Sequence, residues 1–103
     1  MVIGEKSYWV YIMASGRHGT LYVGVTSDLA TRAWQHRNKI TKGFTAKYDV
    51  NRLVWWENFD SIEAAITRDK KIKKWRRDWK IALIEERNPD WLDLYPGLGP
   101  TNF

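Results

Sequence analysis

The first third of the chain is dominated by two short segments of aromatic and β-branched residues, a turn between them and a helical pattern after them. Tyr8–Ala14 and residues 20–25 have the composition of strands. The intervening sequence SGRHG is rich in turn-forming residues, so the two segments are expected to pair as an antiparallel hairpin. Ser27 or Asp28 can then cap a helix that runs to about Asn38. A hairpin followed directly by a helix predicts a small sheet with helices packed on it.

The second half of the chain repeats the change from strand to helix. Residues 52–59 are dense in bulky side chains and predict a third strand. A helix is expected after it, with Glu63 in the first turn, where the helix dipole favours a carboxylate. Residues 76–87 either extend this helix or form a third one, and the Asn-Pro pair at 88–89 should end it.

The resulting order, β-β-α-β-α-α, belongs to the α/β (α+β) class, with a small three-stranded antiparallel sheet flanked by helices. A length of 103 residues fits one domain, which we place at residues 1–95. Residues 39–51 lack a clear period and predict a loop with room for a short helical turn. Residues 96–103 are rich in Pro and Gly and predict an irregular tail.

Charge and composition narrow the classes of partner. Lys and Arg number 17 against 12 Asp and Glu, and the net charge of +5 favours nucleic acid first and an anionic membrane second, although it also suits plain solubility. The absence of cysteine excludes disulfides and thiolate metal sites. Neither a signal peptide nor an apolar run of the ~20 residues that a membrane span needs is visible. We therefore expect a cytoplasmic protein without a membrane segment.

Each strand of the expected hairpin carries a tyrosine. A two-residue turn at Gly16 and Arg17 would place Tyr11 directly opposite Tyr22, with both phenols on one face of the sheet. Paired tyrosines across strands are common in ordinary cores and surfaces. On their own they do not establish a site.

The first helix adds two polar groups to the face that it turns towards the sheet. Leu29, Arg32, Ala33 and His36 follow the spacing of one amphipathic stripe. A guanidinium there can donate paired hydrogen bonds to phosphate oxygens and stabilise the charge that develops in a transition state. The alternative is an arginine whose stem lies along the core while its head reaches water. Two phenols, a guanidinium and an imidazole together favour phosphodiester chemistry.

The second helix has one charged residue on an apolar stripe. Asp69 shares that stripe with four apolar residues, namely Ile62, Ala65, Ile66 and Ile72. A buried carboxylate needs a partner. Mg²⁺ or Mn²⁺ would serve, because such ions need only one or two protein carboxylates besides water and phosphate. A salt bridge to Arg32 or to a nearby lysine explains the pattern equally well.

A basic run interleaved with Trp75 and Trp79 follows Asp69. Its cations can bind phosphate backbones without reading sequence. The alternative is a charged helix face that is merely solvated. The residues concerned are Lys70, Lys71, Lys73, Lys74, Arg76, Arg77 and Lys80.

Taken together, these motifs make the chain similar to GIY-YIG nuclease domains, specifically the small stand-alone bacterial members of that superfamily. Residues 9–11 (WVY) lie where the family has Gly-Ile-Tyr, and residues 22–24 (YVG) lie where it has Tyr-Ile-Gly. Farther along, later blocks of the family are matched by TSDLATRAWQHR, LVWWENF, AAITRDKKIKKW and NPDW. The resemblance runs from about Tyr8 to Tyr95, and its specificity lies in the order and spacing of the motifs.

The resemblance implies a metal-dependent endonuclease that uses Mg²⁺ or Mn²⁺. By position, Tyr11 or Tyr22 would help to deprotonate the attacking water, and Arg32 would hold the scissile phosphate. His36 would bind phosphate or relay a proton. The family's metal-binding carboxylate is usually Glu, and Asp69 is the best match to it here.

Two further residues match less closely. Glu63 is a substitute carboxylate at the start of a helix, and Asn88 matches a later family asparagine. The expected substrate is DNA, including branched or damaged DNA in repair or recombination. An RNA-directed nuclease and a nucleic-acid-binding module with little or no catalysis are the alternatives, and the pattern requires no particular oligomeric state.

Overall fold

A three-stranded sheet forms the centre of the molecule. The structure, a computed structural model, describes residues 7–39 and 43–98. Within them, β1 (Tyr8–Ala14), β2 (Leu21–Thr26) and β3 (Arg52–Phe59) pair antiparallel in the order β2-β1-β3. This confirms the predicted α+β class and the three-stranded sheet.

The remaining elements are helical: α1 (Leu29–Arg37), α2 (Phe44–Lys47), α3 (Ile62–Lys74), α4 (Arg77–Arg87) and a 3₁₀ turn (Tyr95–Leu98). α3 and α4 are separate helices, because the two residues between them have an extended backbone with ψ of 151° and 156°. The 3₁₀ turn gives regular structure to the described part of the tail that was expected to be irregular. No helix in the described ranges is both long and apolar enough to cross a membrane.

The hairpin register differs from the prediction by two residues. Tyr11 lies opposite Gly24, and Tyr22 lies opposite Met13, so the predicted direct pairing of the two tyrosines is wrong. The connection is longer than two residues, because the amide of Ser15 donates to the carbonyl of Thr20 at 3.0 Å and closes a loop over residues 16–19. A shift of two residues preserves the face of every side chain. The two tyrosines therefore still share one face, as diagonal neighbours.

Gly24 makes room for the ring of Tyr11. A Cβ atom at Gly24 would lie 2.7 Å from the Tyr11 hydroxyl and 2.8 Å from its Cζ. Contacts that short require the ring to move, and the ring is almost fully buried. A glycine opposite the tyrosine is thus a packing requirement of this hairpin.

The two faces of the sheet carry different helices. On one face, α1 packs through Leu29 and Ala33 on the alternate strand residues Tyr11 and Met13. On the other face, α3 and α4 cover a larger apolar cluster that contains Val10, Ile12, Val23, Ala65, Ile72 and Ile84. The molecule therefore has three layers, with the sheet between the layer of α1 and the layer of α3 and α4.

Candidate active site

α1 places its two functional side chains above the sheet. The carboxylate of Asp28 caps the helix, accepting from the amide of Thr31 at 3.2 Å and from its hydroxyl at 2.8 Å. From this fixed start, His36 faces the core and is only 4% exposed. Arg32 lies one turn earlier, half-buried, and donates to the side-chain oxygen of Gln35 at 3.2 Å.

Tyr11, His36 and Thr45 form a buried hydrogen-bonded chain. The Tyr11 hydroxyl lies 3.1 Å from His36 Nε2, and His36 Nδ1 lies 3.0 Å from the Thr45 hydroxyl. Each imidazole nitrogen therefore has a hydroxyl partner, which fixes the ring in the core. Thr45 was not predicted as part of the site, because the residues around α2 show no periodicity that would place it.

Tyr22 completes an aromatic group around this chain. Its ring centroid lies 6.2 Å from that of Tyr11 and 5.4 Å from that of His36. Tyr22 is half-buried, whereas Tyr11 is only 1% exposed, so solvent reaches Tyr22 far more readily. Phe44, whose centroid is 6.4 Å away, extends the wall towards the exposed Tyr48. The four residues that the sequence assigned to the reaction, Tyr11, Tyr22, Arg32 and His36, thus meet at one place.

Electrostatics keep the buried members of the cluster uncharged. Burial raises the pKa of the Tyr11 phenol well above its ordinary range, the Tyr22 phenol adds to this, and the Arg32 guanidinium opposes it. Burial, with a smaller effect of Arg32, lowers the pKa of His36 to about 4. At neutral pH, Tyr11 is therefore a protonated phenol and His36 a neutral imidazole, which accepts at one nitrogen and donates at the other.

Asp69 lies in the other layer of the molecule. Ile72, on the same buried stripe of α3, packs with the β1 side chains that point away from Tyr11. The Oδ2 atom of Asp69 accepts from the Lys73 ammonium at 3.0 Å, and Oδ1 is buried without a hydrogen-bond partner. Asp69 therefore lies on the opposite face of the sheet from Tyr11, and the structure does not bring it to the residues with which the resemblance groups it. The salt bridge to a nearby lysine, the alternative drawn from the sequence, is the arrangement found.

These surroundings do not fit a divalent metal ion. The Lys73 ammonium lies where it would repel a cation bound to Asp69. Within the described ranges, no second carboxylate contacts Asp69. The described residues also contain no group of three His, Cys, Asp or Glu that could hold an ion. Asp69, paired with Lys73, therefore does not provide a site for the expected Mg²⁺ or Mn²⁺.

The two weaker candidates have structural roles. Glu63 is exposed in the first turn of α3, where its carboxylate accepts from the hydroxyl of the capping residue Ser61 at 3.1 Å. Asn88 ends α4 and is buried. Its amide donates to the carbonyls of Val54 at 3.0 Å and Leu92 at 2.9 Å, and its side-chain oxygen accepts from the Leu92 amide at 3.0 Å. Asn88 therefore fastens the chain after α4 to β3.

The basic run divides into two groups. Three of its members hold the fold together: Lys73 pairs with Asp69, Lys80 donates to the carbonyl of Lys73 at 3.4 Å, and Arg77 donates to two carbonyls of the hairpin loop at 2.6 Å each. These contacts limit their availability for a phosphate backbone. The other four cations of the run are exposed, and Arg76 among them pairs with Asp78 at 3.4 Å. They are Lys70, Lys71, Lys74 and Arg76.

The protein is a small domain of the GIY-YIG nuclease class. A three-stranded antiparallel sheet carries the two tyrosines, and the first helix brings an arginine and a histidine next to them. The sequence model described as the GIY-YIG catalytic domain matches residues 7–82. The chain belongs to the GIY-YIG family, whose members are nuclease-type domains that act on nucleic acid and generally depend on a divalent metal.

Small proteins from other organisms are similar to this chain in sequence, and one solved structure is similar to it in fold. The UPF0213 protein SSP2268 of Staphylococcus saprophyticus is 35% identical over 83 residues, covering 77% of this chain and 95% of that protein. The UPF0213 protein HQ_3675A of Haloquadratum walsbyi is 36% identical over 83 residues, covering 77% and 88%. The solution NMR structure of the UPF0213 protein BH0048 from Bacillus halodurans superposes with a TM-score of 0.54 at 25% identity, covering 92% of this chain and 99% of that chain.

Proposed function

We propose that this protein is an endonuclease that hydrolyses phosphodiester bonds in DNA at the cluster of Tyr11, Tyr22, Arg32 and His36. The observation that carries the proposal is the 3.1 Å contact between the buried Tyr11 hydroxyl and His36, with Arg32 and Tyr22 beside it. A core built only for stability has little reason to enclose an imidazole and a phenol under a guanidinium. Membership of a nuclease family supports the same reading.

Arg32 is the phosphate-binding group of the proposal. It is half-buried, so its charge is less screened than that of a surface lysine, and its planar fork matches two phosphate oxygens. The guanidinium would offset the negative charge that grows on the non-bridging oxygens as water attacks.

The two tyrosines have different roles in this proposal. Burial raises the pKa of the Tyr11 phenol and leaves the residue only 1% exposed, so attacking water from solvent does not reach its hydroxyl. Its hydroxyl instead positions its neighbours through the bond to His36. Tyr22 is the phenol that solvent reaches, and it would take part in activating the attacking water. The structure thus supports a choice between the two phenols that the sequence left open.

A second candidate is a nucleic-acid-binding module with little or no catalysis. The observation that favours it is the engagement of Asp69 by Lys73 on the far side of the sheet. Without a metal-binding carboxylate beside the cluster, the described residues supply a cation and hydroxyls but no strong base.

A nicking assay separates the two candidates. Supercoiled plasmid and labelled oligonucleotides, linear and branched, would be incubated with the protein and Mg²⁺ or Mn²⁺, with RNA hairpins in parallel. We expect Arg32→Ala to slow cleavage about a hundredfold or more, as loss of a charge-stabilising donor does. Arg37→Ala is the matched control, because Arg37 lies on the same helix but pairs with Asp93 and lies over Tyr95.

Equal cleavage by the wild type and Arg32→Ala would mean that a contaminating nuclease produces the cuts. Binding of DNA without cleavage under any divalent ion would establish the binding module. Faster cleavage of RNA than of DNA would reassign the substrate.

A further inference from the structure

The corner between α3 and α4 exposes a large aromatic side chain. Trp79, in the first turn of α4, is 51% exposed. Its ring meets that of Trp75 at 75°, with centroids 5.9 Å apart, so the two indoles are nearly perpendicular and do not stack on each other. Leaving an indole of this size in water forgoes apolar burial, which is typical of a surface that contacts a partner.

Cations surround these two rings. The Arg76 guanidinium lies 5.2 Å from the Trp79 centroid, and the Arg68 guanidinium lies 5.3 Å from the Trp75 centroid. Arg68 is fixed in place by Glu57, whose carboxylate accepts from its Nε at 3.0 Å. The exposed lysines of the basic run add further positive charge, namely Lys70 and Lys74. Flat π surfaces and guanidinium groups thus alternate along one exposed edge.

We propose that this edge, the Trp79 platform (Trp75, Arg76 and Trp79), binds unpaired bases of a single-stranded polynucleotide. Every base has a π face that can stack on an indole or a guanidinium, and the nearby cations hold the backbone. In a duplex those faces are already covered by neighbouring bases, so the platform selects single-stranded segments. This rests on the proposed function only in taking nucleic acid as the partner.

Charge argues against a second copy of the chain as the occupant. In a two-fold symmetric contact the same patch meets itself, so the exposed cations of one copy would face those of the other. Arg76 in the platform and Lys74 beside it are both exposed, and the one carboxylate that pairs with Arg76, Asp78 at 3.4 Å, leaves the patch with net positive charge. A polyanion relieves the repulsion that a second copy would create.

The platform and the cluster lie in different layers. α3 and α4 pack on one face of the sheet, whereas Tyr11 and α1 lie on the other. A strand held at Trp79 must pass around an edge of the sheet to reach Arg32. The substrate class that suits both sites has a flexible single-stranded segment next to the bond that is cut, as a flap or an overhang does.

The test is binding measured without cleavage. Fluorescence anisotropy with labelled oligo-dT, oligo-U and a hairpin duplex, in buffer that contains a chelator, reports affinity for each polymer. We expect Trp79→Ala to weaken oligo-dT binding at least about fivefold and to change duplex binding less than about twofold. Trp79→Phe keeps a stacking ring and should retain most of the affinity. Trp34→Ala is the matched control, because Trp34 is 41% exposed on α1, away from the basic run.

The outcomes separate this inference from the proposed function. An unchanged affinity for both single strands in Trp79→Ala, an equal loss for single strand and duplex, or an equal loss in Trp34→Ala would overturn it. A dimer that dissociates on Trp79→Ala would also overturn it. The same holds if binding to phosphatidylserine vesicles depends on Trp79 and oligonucleotide binding does not. A Trp79-dependent preference for single strands in a protein that cuts nothing would support the platform and refute the nuclease. A larger effect on oligo-U than on oligo-dT would identify RNA as the preferred polymer.

Discussion

Acidification should destabilise this protein through one buried side chain. His36 is 4% exposed, and its pKa in the folded state is about 4 against 6.5 for an ordinary imidazole. Between these two pH values the unfolded chain binds a proton at His36 that the folded chain does not bind. Lowering the pH therefore favours unfolding. The contribution of His36 to stability is complete above the unfolded pKa and is lost as the pH falls towards the folded pKa.

The size of the effect follows from the gap between the two pKa values. A gap from 6.5 to about 4 corresponds to about 3 kcal/mol in the free energy of unfolding when the pH is below both. The linkage between protonation of His36 and unfolding predicts that about 2 kcal/mol of that loss occurs between neutral pH and about pH 5. Since whole domains are stable by only about 5–15 kcal/mol, a loss of this size shifts the denaturation midpoint visibly.

The assay is urea denaturation at a series of pH values for the wild type and His36→Gln. Carboxylates also lose their ion pairs in acid, but they do so in both proteins, so the difference between the two curves isolates the imidazole. That difference should shrink by about 2 kcal/mol on going from neutral pH to about pH 5.

NMR titration of the His36 imidazole provides an independent check. A His36 pKa near 6.5, or a difference curve that stays flat between neutral pH and about pH 5, would show that His36 is solvated in the folded protein and would refute the reasoning.

Three further substitutions test single contacts. Gly24→Ala should cost about 1–3 kcal/mol by urea denaturation, because its Cβ would collide with the Tyr11 ring, whereas Gly16→Ala, with no atom within 4 Å, should cost far less. An equal loss in both would mean that backbone freedom matters and ring contact does not. Tyr11→Phe should cost about 1 kcal/mol through its buried hydrogen bond and should slow cleavage, and unchanged cleavage would remove Tyr11 from the site. Asp69→Asn should leave Mn²⁺ affinity, measured by calorimetry, unchanged because Lys73 occupies the carboxylate, and a large loss of affinity would reinstate the metal site.

Local chemistry made much of the fold readable from the sequence. Ser27 or Asp28 was predicted to cap α1 because short polar side chains precede an amphipathic stripe, and Asp28 is the cap found. The same stripe correctly placed His36 against the sheet. The register of the hairpin was not readable, because Ser15 and a left-handed His18 (φ 56°) build a longer loop than the Gly16 signal suggested.

Periodicity could not predict which residues from different helices and strands contact each other. The stripe of α3 showed that Asp69 would be buried, but it could not show which face of the sheet α3 would cover. Thr45 was missed for the same reason, since its partner His36 comes from another helix. The sequence predicted Arg77 and Lys80 to be cations available for nucleic acid, whereas the structure shows that both donate to backbone carbonyls.

The sheet lies between the helix that carries Arg32 and the helix that carries Trp79, so substitutions at these two residues should act independently of each other. Replacing Arg32 should leave Trp79 unaffected, because α1 packs on one face of the sheet and α4 on the other, and effects at well-separated sites are usually additive. If Arg32 serves cleavage and Trp79 serves binding, as proposed, one substitution at Arg32 would remove cleavage and leave binding intact. Substitutions at the Trp79 platform would likewise change the preferred polymer without altering the residues around Arg32.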